Sequence, residues 1–271
     1  MSALKNLRDQ LRAAGAPDDA RFLQRFFKTG PGEYAEGDVF IGVRVPVVRR
    51  LALQADALPL ADVLRLLASR IHEERLLALV SMTRRFARGD EIVRREVYDA
   101  YLAHRDRINN WDLVDVSAPN IMGVWLLNHP RGILDALVES PVLWDRRIAV
   151  LATFSLLRAC QFDDTVRLCT RLLGDPEDLM HKACGWMLRE CGKRDLGVLR
   201  AFLRAHVSAM PRTMLRYAIE KLSPEERSEW LEGRPGHATG VDHSCRNSHW
   251  DRRLPGGSSR ASPPPSLPSG A

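Results

Sequence analysis

The chain has little of what marks several protein classes. Its five cysteines, Cys160, Cys169, Cys184, Cys191 and Cys245, are odd in number and form no C-x-x-C pair. That excludes a disulfide framework and predicts reduced, mostly buried thiols. No stretch approaches the roughly 18 uncharged apolar residues that a membrane span needs, and Met1-Ser2-Ala3-Leu4-Lys5 reaches a charge before any hydrophobic segment. The expectation is a cytoplasmic protein that does not engage a membrane. A Walker-type loop, a G-x-S-x-G elbow, an H-E-x-x-H pair and a Rossmann fingerprint are all missing, so the usual cofactor enzymes have no foothold. Neither a cofactor nor a metal is expected, and no segment alternates convincingly as a strand would.

What is there is a helical chain of ordinary apolar content, 45% by residue, long enough for a sizeable core. The net charge of +6 is unevenly spread. Residues 1–139 are nearly neutral, and most of the basic excess of the folded part falls between 140 and 222. Almost all of it is arginine, whose planar fork suits phosphate.

Helical spacing predicts segments at 3–14, 18–27 and 47–54, then 60–69, 73–87, 90–103, 111–127, 131–139, 144–158, 162–173, 179–191, 195–206, 211–221 and 224–231. Phe22, Leu23, Phe26 and Phe27 supply the apolar side of the second. A loop from Gly30 leads to the hook Gly42-Val43-Arg44-Val45-Pro46, where the proline can open the next helix. Helices starting near Glu73, Trp111, Asp145, His181 and Pro211 recur every 30–38 residues or so, the scale of two-helix solenoid repeats. In three of them a basic residue precedes an apolar run, so stacking would place Arg75, Arg147, Lys182 and Arg212 in one stripe. The fold expected is therefore all-α, a HEAT-like helical-repeat solenoid with a concave basic face, acting as a monomer. One domain spans 1–232. The remainder, 233–271, is a Pro/Gly/Ser/Arg-rich tail too polar to order itself. Its His237, His243, Cys245 and His249 match no common zinc spacing.

One stretch carries chemistry: Asn109-Asn110-Trp111-Asp112-Leu113-Val114-Asp115. An asparagine can cap the helix, and Trp111 and Asp115, four apart, share a face while Leu113, Val116, Ile121 and Val124 supply a buried side. Taken alone, the stretch reads as packing and helix-dipole complementation. Set in a basic helical concavity, a carboxylate beside an indole suits stabilisation of a cationic transition state, or the positioning of a water to attack one. Those are the demands of glycosidic-bond cleavage. Asp112 reads as a first-turn dipole or hydrogen-bonding residue, Trp125 and Trp144 as core, and His181 as a surface or capping residue.

Four stretches together carry a resemblance: Phe40 to Arg49, Trp111 to Asp115, Leu143-Trp144-Asp145-Arg146-Arg147-Ile148-Ala149, and Lys182 to Glu190 around Trp186. In order and spacing, over residues 3–225, the chain resembles the AlkD-like DNA alkylation repair enzymes. The resemblance implies stacked HEAT-like repeats and a DNA glycosylase that removes cationic N3- and N7-alkylated purines from duplex DNA by base excision. It implies Asp115 as catalytic aspartate, Trp111 and Trp186 as lesion-contacting residues, and Arg147 on the DNA backbone beside Lys182, Arg75 and Arg212. No lysine stands near Asp115 to form a Schiff base, so hydrolysis to an abasic site without strand cleavage is expected. The alternative at this point is a catalytically silent binder of DNA structures, or a protein-interaction scaffold, with the same architecture.

Overall fold

The computed structural model describes residues 2–233. Among them the chain forms fourteen α-helices and no strand; an isolated parallel bridge joins Val39 and Ile71. The helices are α1 (Ala3–Ala13), α2 (Pro17–Phe26), α3 (Val45–Ala55), α4 (Leu60–Leu67), α5 (His72–Arg88), α6 (Glu91–Ala103) and α7 (Trp111–Ser117). After them come α8 (Gly132–Val138), α9 (Leu143–Arg158), α10 (Asp163–Arg171), α11 (Asp178–Gly192), α12 (Leu196–His206), α13 (Arg212–Ala218) and α14 (Pro224–Leu231). The expected segments are present as helices, except that the one over 111–127 is broken after Ser117. The histidine-bearing tail lies outside the described residues.

Packing sorts the helices into two rows. α3, α5, α7, α9, α11 and α13 lie side by side, each against the next, while α4, α6, α8, α10 and α12 pack behind them. A returning helix separates each member of the first row from its successor, so these helices run the same way and their N-termini collect along one edge. Every residue the sequence singled out for chemistry lies on this row. The core between the rows is apolar: Leu66, Leu77, Leu79, Phe86, Tyr101, Ile121 and Met122 are almost wholly buried, each large aliphatic contributing roughly 1.5–3 kcal/mol. Gly185 permits a close approach within the row. A Cβ there would lie 2.5 Å from the Met214 carbonyl oxygen and from Tyr217 Cβ, so α11 and α13 meet backbone to backbone.

Two local departures shape the site. The segment expected as one helix over 111–127 is interrupted: α7 ends at Ser117 and a π-helical turn covers Pro119–Gly123. Proline lacks the N–H that would bond to the Asp115 carbonyl one turn earlier, and the ladder shifts by one, with Gly123 N–H donating to the Ala118 carbonyl at 2.9 Å. The second departure is α2, which buries none of its residues. Phe22 and Phe26 are exposed, and Phe27, just beyond the helix, is the aromatic that enters the core.

The hook forms as its glycine requires. Gly42 has φ +81°, and a Cβ there would lie 2.1 Å from the Ala16 carbonyl oxygen, so only glycine fits without displacement. The buried Glu73 carboxylate accepts the amides of Ile41 (3.1 Å), Gly42 (2.8 Å) and Val43 (3.2 Å). Its neighbour Glu74 takes Arg8 and Arg12 from α1. Two adjacent acidic residues at the start of α5 thus fasten the N-terminal helices to the row.

Candidate active site on the edge of the inner helix row

Asp115 projects from α7 beside α9. The Arg147 guanidinium forks onto it, Nε to Oδ1 and Nη2 to Oδ2 at 3.0 Å each, and its third nitrogen donates to the Leu179 carbonyl on α11 at 2.8 Å. Such a bidentate pair fixes orientation as well as charge. Arg147 is buried, while the Asp115 side chain keeps 22% of its exposure. Burial pushes the Asp115 carboxyl above its ordinary value, Arg147 pulls it down, and the charge of Asp112 adds to the rise.

Trp111 opens α7. Asn110, fully buried, caps the helix by accepting the Trp111 amide at 2.8 Å. The half-buried indole stacks on Phe27 at 5.0 Å, meets Phe26 edge-on at 6.1 Å, and donates from Nε1 to the Tyr34 hydroxyl at 3.3 Å. Tyr34 comes from the loop before the hook and touches Trp144 edge-on. Burial raises its phenol, on which Asp112 and Arg147 act with opposite sign.

Behind α7 lies a cluster that sequence reasoning did not find. His72, the first residue of α5, places Nδ1 3.0 Å from Asp38 Oδ2 and Nε2 2.8 Å from Asp112 Oδ2. Arg75 reaches Asp38 at 2.7 Å, and the Asn109 and Asn110 amides approach the same carboxylate at 3.4 Å. The imidazole stacks on Phe40 with centroids 4.3 Å apart. Burial acts against its charged form, but the charge and hydrogen bond of Asp112, with the bond to Asp38, outweigh it and raise His72 to about 9. The one trace of this in the sequence is a histidine at a helix start, in a run His72-Glu73-Glu74 that otherwise resembles solvated polar residues.

The expected basic stripe is corrected in part. Its four members do lie near the N-terminal ends of neighbouring row helices, yet two face inward. Arg75 is buried, paired with the Asp38 carboxylate and donating to the carbonyls of Ser69 and Arg70, so it faces into the protein rather than toward a phosphate. Arg147 is buried on Asp115. The two that face solvent are Lys182, about one-third exposed and paired with Asp178 at 2.8 Å, and Arg212, exposed and donating to the Leu231 carbonyl. Trp186 is half-buried on α11, its ring partner Phe154 of α9 rather than the Trp111 cluster. Trp125 and Trp144 are core.

The sequence model of the DNA alkylation repair enzyme family matches residues 7–222. Among solved structures, a predicted DNA alkylation repair enzyme from Enterococcus faecalis superposes with a TM-score of 0.62 at 18% identity, covering 78% of this chain and 97% of that one. At that identity the likeness establishes the fold. No curated protein matches the chain.

Proposed function

The chain belongs to the DNA alkylation repair enzyme family, and from that premise we propose that it is a monofunctional DNA glycosylase. In this reading it hydrolyses the N-glycosidic bond of cationic N3- and N7-alkylated purines in duplex DNA and leaves an abasic site. The observation that carries it is the Asp115–Arg147 pair: a partly exposed carboxylate held in one orientation at a solvent-facing edge, on the same helix as a half-buried indole. Alkylation at N3 or N7 makes the base a cationic leaving group, so no acid has to protonate it. The remaining demand is stabilisation of an oxocarbenium-like sugar. Asp115 supplies negative charge there, and the Trp111 face adds about 0.5–2 kcal/mol for a cationic base set against it. Trp186, farther along α11, offers a second indole.

Arg147 acts on this chemistry through Asp115, opposing the rise that burial imposes on its carboxyl. DNA phosphates fall to Lys182 and Arg212, aided by the row's aligned helix N-termini, which favour anions. These contacts hold register without reading sequence. Lys182 is the lysine of the row, and its ammonium is engaged by Asp178, in keeping with hydrolysis rather than Schiff-base chemistry.

The test is single-turnover release of 7-methylguanine and 3-methyladenine from methylated duplex DNA. Wild type releases both; Asp115→Asn releases each at least about 100-fold more slowly while binding DNA at least as tightly. Binding without release by either protein would favour the silent binder instead. Strand breaks appearing before alkali or heat would overturn the monofunctional assignment.

A further inference from the structure

α2 belongs to neither row of the solenoid. It crosses the N-terminal ends of three inner-row helices instead. Asp19 pairs with Arg44, the cap of α3, at 3.0 Å; Phe27 meets the ring of His72, the first residue of α5, at 5.3 Å; and Phe26 and Phe27 meet Trp111, the first residue of α7. The helix therefore lies on the edge that carries the candidate site. Ala20 backs onto the Gly42 hook, and Leu23 and Phe27 turn toward Phe40 and His72. Helical spacing then leaves Arg21, Phe22, Arg25 and Phe26 together on the opposite side. All four are exposed, as is Lys28 just past the helix.

That outer face combines two chemistries. Phe22 and Phe26, 57% and 48% exposed, lie ring on ring with centroids 5.9 Å apart and planes 17° from parallel, and Phe26 meets Trp111 edge-on. The rings form a column that starts at the half-buried indole and ends in solvent at Phe22. Arg21 is taken by Asp18, whereas no ion pair holds Arg25 or Lys28 among the described residues. A phosphate has use for the cations but none for a phenyl face, and a base inside a paired duplex has its own π-faces covered. A strand with an unstacked base uses both: aromatic faces take the base, and cations take the backbone beside it. Continuity with Trp111, on the edge assigned to DNA, favours this occupant over a protein.

We propose that the outer face of α2 is a stacking platform for one unpaired nucleobase of the bound DNA, with Phe22 taking the base and Arg25 and Lys28 the flanking phosphates. This rests on the reading above that the edge meets DNA. The two phenyl rings are closer than the two stacking steps of about 3.4 Å each that an inserted base needs. The base therefore closes the column on the outer face of Phe22. It is a different nucleotide from the one set against Trp111, because Phe26 stands between them. Stacking accepts any base, so the platform adds affinity for a displaced nucleotide without reading sequence.

The experiment measures, by fluorescence anisotropy, the affinity of the full-length protein for an unalkylated duplex and for the same duplex carrying one bulged 5-iodo-2′-deoxyuridine. Neither readout depends on base release. Wild type should bind the bulged duplex about 10-fold more tightly. Phe22→Ala should lose that preference, Phe22→Trp should keep it, and Phe22→Leu, which retains apolar bulk without a ring, should lose most of it. Phe22 is exposed, so all three should melt with wild type. Irradiation should crosslink the iodouracil to Phe22 or Phe26, as mapped by peptide mass spectrometry, and Arg25→Ala should flatten the salt dependence by about one counterion. Equal wild-type affinity for the two duplexes, an unchanged preference in Phe22→Ala, or crosslinks that map away from α2 overturn the platform and leave the glycosylase reading standing. A wild-type dimer that Phe22→Ala converts to monomer gives the face to a second copy and overturns it as well. Wild type that binds neither duplex overturns the DNA-facing edge, and with it the proposed function.

Discussion

Asp112 and Asp115 sit three residues apart on α7 and live in different regions of the molecule. Asp115 belongs to the solenoid: its partner comes from α9, and that partner is tied in turn to α11. Asp112 belongs to the N-terminal part, where α5, the loop before the hook and the caps of α7 meet around His72. In each place the partner decides what the carboxylate can do. A guanidinium fork occupies both oxygens and makes a fixed anion. An imidazolium touching one oxygen makes an oriented acceptor.

The largest expected effect falls on the solenoid side. Asp115→Asn should reduce base release by about 10²–10³, the usual cost of losing a charge aimed at the transition state, while DNA affinity holds or rises. A rate within a few-fold of wild type would remove Asp115 from the centre of the comparison.

Arg147→Ala comes next and separates the two carboxylates by pH. Loss of the cation leaves Asp115 buried without a partner, so its already raised carboxyl rises further and the acid limb of the rate profile moves to higher pH. Release should fall roughly 10–100-fold near neutrality and recover as pH increases. An acid limb that stays in place would mean that Arg147 does not govern the ionisation of Asp115.

On the N-terminal side the sign reverses. His72 has a folded value of about 9 against an unfolded value near 6.5, so its charged interactions add stability below about pH 6.5 that is lost as pH rises through 9. That contribution is on the order of 3 kcal/mol. Urea unfolding of wild type and His72→Gln should show a gap at pH 6 that closes by about pH 9.5. A gap independent of pH would place the contribution in packing against Phe40 rather than in charge.

The smallest effect tests the corrected stripe. Lys182→Ala and Arg212→Ala should each flatten the salt dependence of DNA binding by about one counterion, whereas Arg75→Ala should destabilise the protein and leave the slope unchanged. Equal changes in slope for all three would restore the wider basic face.

Much of the frame was legible in the sequence because its signals are local. Helical spacing, proline and glycine breaks and the asparagine cap act within a turn or two, and the pairing of Trp111 with Asp115 on one face follows from helix geometry. The hook was visible for the same reason: Gly42 and Pro46 carry their backbone preferences wherever they stand. Pro119 is the local sign of the shifted ladder beyond Asp115, but it stands inside a strong apolar run that masks it. The inward turn of Arg75 was not legible, since the same arginine before an apolar run serves a phosphate or a buried carboxylate equally well. Nor was the exposure of Phe22 and Phe26, because nothing in α2 records that no further layer covers it.

By itself the sequence determined the helices, their repeat, their shared direction and the residues that stand at their N-terminal edge. Only the tertiary structure decided the partners: Arg147 for Asp115, His72 for Asp112, Asp38 for Arg75. Each pair spans more than thirty residues of chain, and such contacts depend on how the rows stack. Propensity and periodicity act over a turn, whereas desolvation and charge pairing act across whatever the packing brings together.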